Sequence, residues 1–337
     1  MDIVAVHEQP STPSYKSINL YARTFALGMV FFTFVFLFNN FLIVGHDWPG
    51  IVALWSDANE ATPLSWLQLL FYLLVFPCAY FWSKKNESTL LIADSDKLSR
   101  WTSYVVRAVF WSVLLIGIVD SVISFLRIEG FLGLFVSEGL ERNLGIATFR
   151  GMYVHYPIIA LSFIIAFFVK KYSVAWLALM VVLSELLIVI TRFVFSYEQT
   201  FMGDLVRFWY AGLFLLAAAY TLKSEGHVRV DVLYAGKSIR FKAWVNIMGI
   251  LLLGLPLCWT ILGVGMWEST SVLNSPIATF EISQASYGLY IKYLLAAYLV
   301  VFALTMIMQF SSYFLKHIAI LVGEVNVSEE EHEDVGA

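Results

Sequence analysis

The chain has 337 residues, of which 60% are hydrophobic, 17% aromatic and only 14% charged. A soluble core of this length cannot bury that much apolar surface, so the composition excludes an ordinary soluble domain and places the chain in a bilayer. Its formal net charge of −4 supplies no basic surface for phosphates, which excludes a nucleic-acid partner.

A transmembrane helix needs roughly 20 mostly apolar residues. In chain order such runs fall at about 22–44, 63–82, 103–125, 152–169, 173–196, 205–222, 243–267 and 287–314. They predict an all-α, polytopic integral membrane protein with about eight transmembrane helices. Residues 1–21 are expected to be a cytoplasmic segment: they are not notably basic, and no small-x-small cleavage site follows the first run, so that run is read as a permanent helix. Lys84, Lys85, Lys97 and Arg100, then Lys170 and Lys171, then Lys223, Arg229, Lys237, Arg240 and Lys242 fall between alternate runs. By the positive-inside rule those connectors are cytoplasmic, as are both termini. The loop 45–62, with Asp47, Asp57, Glu60 and no Lys or Arg, then lies outside.

Segment 128–149 sets Ile128, Phe131, Leu132, Phe135, Leu140 and Leu144 at roughly helical spacing opposite Glu129, Glu138, Glu141 and Arg142. This predicts an amphipathic helix in the interface plane, with a hairpin loop carrying apolar residues as the alternative. In the seventh run, Gly249, Gly254, Gly263 and Gly265 offer close helix packing. In the eighth, Tyr287, Tyr290, Tyr293 and Tyr298 suit an interfacial aromatic belt or packing within the chain. The acidic tail 319–337 is expected to be disordered.

Ionisable side chains inside a membrane are costly and mark candidate sites. Here they are Asp120, Glu185, Asp204 and His155. Asp120 and Glu185 are expected to be buried, each seven residues before an arginine on the same helix face, Arg127 and Arg192. Such pairs are structural or part of an ion pathway, and the structural reading is preferred. The alternative is a stand-alone channel or transporter in which Asp120, Glu185 and Asp204 line a polar path. His155 is alone in its run, which disfavours a bis-imidazole haem. Cys78 and Cys258 have neither CxxC spacing nor a nearby histidine. No nucleotide-binding, hydrolase or metalloprotease motif occurs, so no enzyme, cofactor or metal is expected. A 65-residue offset matches Trp111 to Trp176, Asp120 to Glu185, Arg127 to Arg192 and Arg142 to Arg207, which is either a weak internal repeat or chance.

From Ile190 onward the sequence carries Arg192-Phe193, the turn Ser196-Tyr197-Glu198-Gln199, Asp204 with Arg207, and Gly226-His227-Val228-Arg229-Val230-Asp231 between two apolar runs. In order and spacing this resembles the small membrane subunit, DctQ-like, of tripartite ATP-independent periplasmic (TRAP) transporters. The resemblance covers about 172–318, four helices; residues 22–171 form a four-helix N-terminal extension, as in longer variants. It implies a non-enzymatic scaffold in the bacterial inner membrane that docks to a large DctM-like permease. With a periplasmic solute-binding protein, the complex would import organic acids or related solutes on a sodium gradient. Arg192, Asp204, Arg207, Gly226, His227, Arg229 and Asp231 are the motif residues, and the charges of the 223–237 connector would meet lipid headgroups or a partner's loop.

Overall fold

A computed structural model of the chain describes residues 13–56, 62–170, 175–223, 234, 236–282 and 288–324. Among these, regular structure is helical throughout. Eight helices are long and apolar enough to cross a membrane: α1 Lys16–His46, α2 Pro63–Lys85, α3 Leu91–Ile128, α4 Ala147–Phe168, α5 Ala175–Val194, α6 Met202–Leu222, α7 Ile239–Gly265 and α8 Lys292–Val322. Each covers one of the expected apolar runs.

Two depart from their runs at the ends. α3 starts well before residue 103, because Leu91, Ser95, Leu98, Ser99 and Thr102 form a buried stripe at helical spacing through polar sequence. Its 38 residues span about 57 Å at the usual rise, well beyond a hydrocarbon core of about 30 Å. α8 likewise continues to Val322.

Segment 128–149 is not the single amphipathic helix expected. Gly130 adopts φ +71° and ends α3, a 3-10 turn follows at Leu132–Leu134, and a short helix occupies Glu138–Leu144. Phe131, Leu134, Phe135 and Leu140 remain exposed, while Leu132 and Leu144 are buried. The glycines at 130, 133, 139 and 145 break the run into pieces, since glycine has the least helix propensity after proline.

α4 and α7 each contain a wide turn with i→i+5 hydrogen bonding, at Gly151–His155 and Ile250–Gly254. In both, Pro157 and Pro256 follow two residues later. Proline lacks an N–H and its ring clashes with the carbonyl four residues back. Widening the turn ahead of it relieves that clash and is the usual form of a π-bulge.

The described residues fall into two compact units, one drawn from within 1–100, 225–259 and 306–337, the other from within 101–224 and 260–305. Each therefore takes residues from both sides of the sequence boundary at 171.

In the first unit, α1 and α2 pack closely where Gly28 faces Phe76; a Cβ at residue 28 would come within 2.6 Å of the ring. Phe32 packs at a tilt against Tyr72 and edge-on against Trp259, Phe25 packs at a tilt against Phe314, and Phe310 lies over Gly254. Gly249 and Gly263 have open space around them. Ser95 Oγ donates to the Ser312 carbonyl at 2.7 Å and Ser312 Oγ to the Ser95 carbonyl at 2.8 Å, a reciprocal clasp between α3 and α8. α8 ends in a left-handed Gly323, with Gly323 N–H on Ile320 O and Glu324 N–H on Ala319 O, the Schellman pattern. That turn delivers Glu324 to the start of α3, where its two carboxylate oxygens accept the Leu91 and Ile92 N–H groups at 3.0 and 3.1 Å. A carboxylate there satisfies orphan donors and complements the helix dipole. Burial pushes the Glu324 pKa up, and the two hydrogen bonds and Arg23 only partly oppose this. Arg23, 1% exposed, donates Nε to Asp94 at 2.6 Å and Nη2 to the Thr89 carbonyl at 2.7 Å.

In the second unit, Trp209 of α6 lies against α3, donating Nε1–H to the Val113 carbonyl at 3.2 Å and filling the space beside Gly117. Phe208 stacks on Tyr298 of α8 at 5.2 Å. This packing encloses the polar network described next.

Candidate functional site

Asp120, on the last turns of α3, is fully buried, as are Arg150 and His155. Its Oδ1 accepts from Arg150 Nη1 at 3.0 Å and from His155 Nε2 at 3.1 Å, and its Oδ2 accepts the Tyr290 backbone N–H at 3.1 Å. A carboxylate only accepts, so Nε2 carries a proton toward Asp120, and Nδ1 shares a hydrogen bond with the Tyr293 hydroxyl at 2.7 Å. Arg150 also donates to Ser124 Oγ at 3.0 Å and to the Leu144 carbonyl at 2.9 Å, and its guanidinium lies 4.1 Å from the Tyr290 ring centroid. The Asp120 carboxylate and the Arg150 guanidinium answer one another's charge in this interior. Both imidazole nitrogens are engaged within the protein, so His155 is a structural core histidine.

The wide turn of α4 makes this geometry. Five residues along an ordinary α-helix rotate a side chain by about 140° off its starting direction. The i→i+5 turn over Gly151–His155 brings His155 back toward the face of Arg150, so that both reach one carboxylate. Gly151 is required at its first position, because a Cβ there would overlap the Phe280 ring.

Arg127, on the same helix face, does not pair with Asp120; each answers groups on neighbouring elements. Seven residues rise about 10 Å along a helix, too far for an ion pair. Arg127 instead donates to Tyr290 Oη at 2.5 Å, and that hydroxyl donates to the Gly145 carbonyl at 2.9 Å. Tyr290, Tyr293 and Tyr298 are buried and do not form an aromatic belt; their hydroxyl-bearing rings fill the interior of this unit. Tyr287 lies outside the described residues.

Asp204 opens α6 and accepts the Leu289 N–H at 3.3 Å. Asp120 and Asp204 therefore hold consecutive backbone donors, Tyr290 and Leu289, at the approach to α8. Arg207 is a mostly exposed neighbour, 3.5 Å from Asp204. The turn at Ser196 has φ +50°, and Tyr197 beyond it hydrogen-bonds Glu129.

Glu185 is not buried as expected. The inward stripe of α5 carries Leu177 and Ser184, and the next residue around the helix, Glu185, faces outward and is exposed, as is Arg192. The structure thus joins Asp120 and Asp204 at one segment and leaves Glu185 apart from them. Nor do the first three offset pairs share surroundings: Asp120 is buried and Trp111 and Arg127 half-buried, whereas Trp176, Glu185 and Arg192 are exposed. Gly226, His227, Arg229 and Asp231 lie outside the described residues. Sequence reasoning missed Arg150, Tyr290 and Tyr293 as partners of Asp120; the one available signal was the Arg150–His155 pair immediately before Pro157.

Among the described residues no cluster of three His, Cys, Asp or Glu side chains is arranged to hold a metal ion. No curated protein and no solved structure matches the chain. Residues 179–316, from within α5 through most of α8, match the family of the DctQ component of tripartite ATP-independent periplasmic transporters. The match ends within a few residues of the C-terminal limit expected from the motif, and it contains Asp204, Tyr290 and Tyr293. Over these residues the chain is similar to the DctQ family of TRAP transporter components, and its eight membrane-length helices make it a multi-pass membrane protein.

Proposed function

We propose that the chain is the small, non-enzymatic scaffold subunit of a TRAP transporter in the bacterial inner membrane. It docks to a large DctM-like permease, and the complex imports organic acids or related solutes delivered by a periplasmic binding protein on a sodium gradient. The DctQ match over residues 179–316 carries this assignment. The rigidly held entry to α8 is consistent with it, since a scaffold must keep its helices fixed while a partner moves. Arg192, Arg207, Gly226, His227, Arg229 and Asp231 are proposed as surface motif residues facing the partner or lipid headgroups. Asp204 is proposed to act within the chain, where its bond to Leu289 N–H fixes the start of α8. Asp120 of the extension supports the same point from the other side.

The test is reconstitution. The affinity-tagged chain is co-expressed with the DctM-like permease of the same organism, purified in mild detergent and placed in liposomes with the cognate binding protein and labelled organic acids. Uptake should need both membrane subunits, the binding protein and an inward sodium gradient. Ion conduction by the chain alone, with no permease recovered, would overturn the assignment.

A further inference from the structure

The face of α5 around Glu185 stands apart from the rest of the molecule. α5 is the least enclosed of the eight spans, with 11% of its apolar window buried against 22% to 50% for the others. Only Leu177 and Ser184 turn fully inward. Val182, Leu186, Val189 and Phe193 are exposed on the other side, and Glu185 stands among them at the eleventh of 20 residues, about 15 Å from either helix end. Among the described residues nothing pairs with its carboxylate; the nearest cation on the same stripe, Arg192, is two turns away.

Lipid chains offer no hydrogen-bond donor, so a carboxylate at that depth faces lipid only at a large cost. Something with donors must cover it. A second copy of this chain does not fit: two copies inserted with the same orientation would meet about a two-fold axis with residue facing the same residue, setting Glu185 against Glu185. We propose that this face of α5 is the seat for a transmembrane helix of the large permease, which presents a lysine, arginine or other hydrogen-bond donor to Glu185. The inference rests on the assignment of the chain as a TRAP small subunit, and adds to it the surface and the chemistry of contact. Apolar packing along Val182, Leu186 and Val189 supplies the area, and the single carboxylate sets the register, as one polar group does between paired helices.

The experiment places a photo-crosslinking amino acid at 182, 186 or 189, or, as a control, at the exposed Leu253 of α7, in the tagged full-length chain co-expressed with the DctM-like permease. Irradiation should give an adduct with the permease from the α5 positions and none from 253. In parallel, Glu185→Ala should cut the permease recovered with the chain by about tenfold, with Glu185→Gln intermediate, while the chain itself elutes unchanged because no described residue pairs with the Glu185 carboxylate. Adducts from α5 only to lipid or to a second copy, or full recovery of the permease with Glu185→Ala, would overturn this inference and leave the subunit assignment standing. Failure of the unsubstituted chain to recover any permease would overturn the assignment, and this inference with it.

Discussion

Asp120 and Glu185 are both acids within membrane-length helices, yet the chain handles them in opposite ways. Asp120 is enclosed, with both oxygens committed to Arg150, His155 and the Tyr290 N–H. Glu185 is turned outward and left to whatever lies beyond α5. An intramembrane charge is tolerated only where something answers it, so one acid reports on the interior of this protein and the other on its surroundings. The difference is local in origin. Asp120 sits opposite the wide turn of α4, which brings two nitrogen donors to it, whereas Glu185 is one residue past the buried Ser184 and so is carried off the inward stripe.

The contrast is sharpest in stability. Asp120→Ala would strand Arg150 in the interior and should cost about 3–5 kcal/mol, read as a lower unfolding temperature in detergent by tryptophan fluorescence. The double variant Asp120→Asn with Arg150→Gln should fall short of the sum of the two single losses by at least ~0.5 kcal/mol. Strict additivity would show that the pair does not act as a unit. Next in size, Gly151→Ala forces a Cβ against Phe280 and shifts the ring away from Tyr293; overpacking of this kind costs about 1–3 kcal/mol. Unchanged stability would remove the argument that the turn needs glycine.

Smaller effects are expected at Glu324, whose charge answers a helix end rather than a buried ion. Glu324→Ala should cost about 0.5–2 kcal/mol, the range for a lost N-terminal cap. The pH dependence has a definite sign. Burial raises this carboxyl above its usual 4.5, so just above that pH the native state holds a proton the unfolded chain has released. Stability is therefore fully present below the unfolded value and falls as pH rises through the raised one. Unfolding temperatures across that window should show the fall in the parent chain and not in the alanine variant. Smallest of all, Glu185→Leu in the chain purified alone should move stability by no more than ~0.5 kcal/mol. A large loss there would mean that Glu185 has a partner inside the chain, and the contrast with Asp120 would collapse.

The eight spans were legible because each carries an apolar run long enough to cross a bilayer, and that signal depends on composition rather than on contacts. The C-terminal family was legible from a motif in which Arg192, Asp204, Arg207 and the 226–231 stretch keep their order. The partners of Asp120 were not. Helical spacing places Arg127 on the face of Asp120 but names no partner, and the partners lie 30 and 35 residues ahead, across a broken loop and around a turn that departs from α-helical geometry. No periodicity rule reports that Arg150 and His155 share a face, because the rule assumes 3.6 residues per turn. The placement of Tyr290, Tyr293 and Tyr298 stayed open between two readings for a related reason. A tyrosine near a helix end suits either an interface or an interior hydrogen bond, and only the position of Asp120 and His155 decides between them.

The turn at Gly151–His155 has a further consequence for how this sequence changes over time. A π-turn is an α-turn with one residue too many, so deleting a single residue between 151 and 155 would restore a regular helix. The deletion would also turn everything on one side of it by about 100° relative to the other, so that Arg150 and His155 would no longer converge. A one-residue gap and the loss of Asp120 are then coupled events. Relatives that align with a gap here should carry an uncharged residue at the position of Asp120, and those that keep the acid should keep the full count.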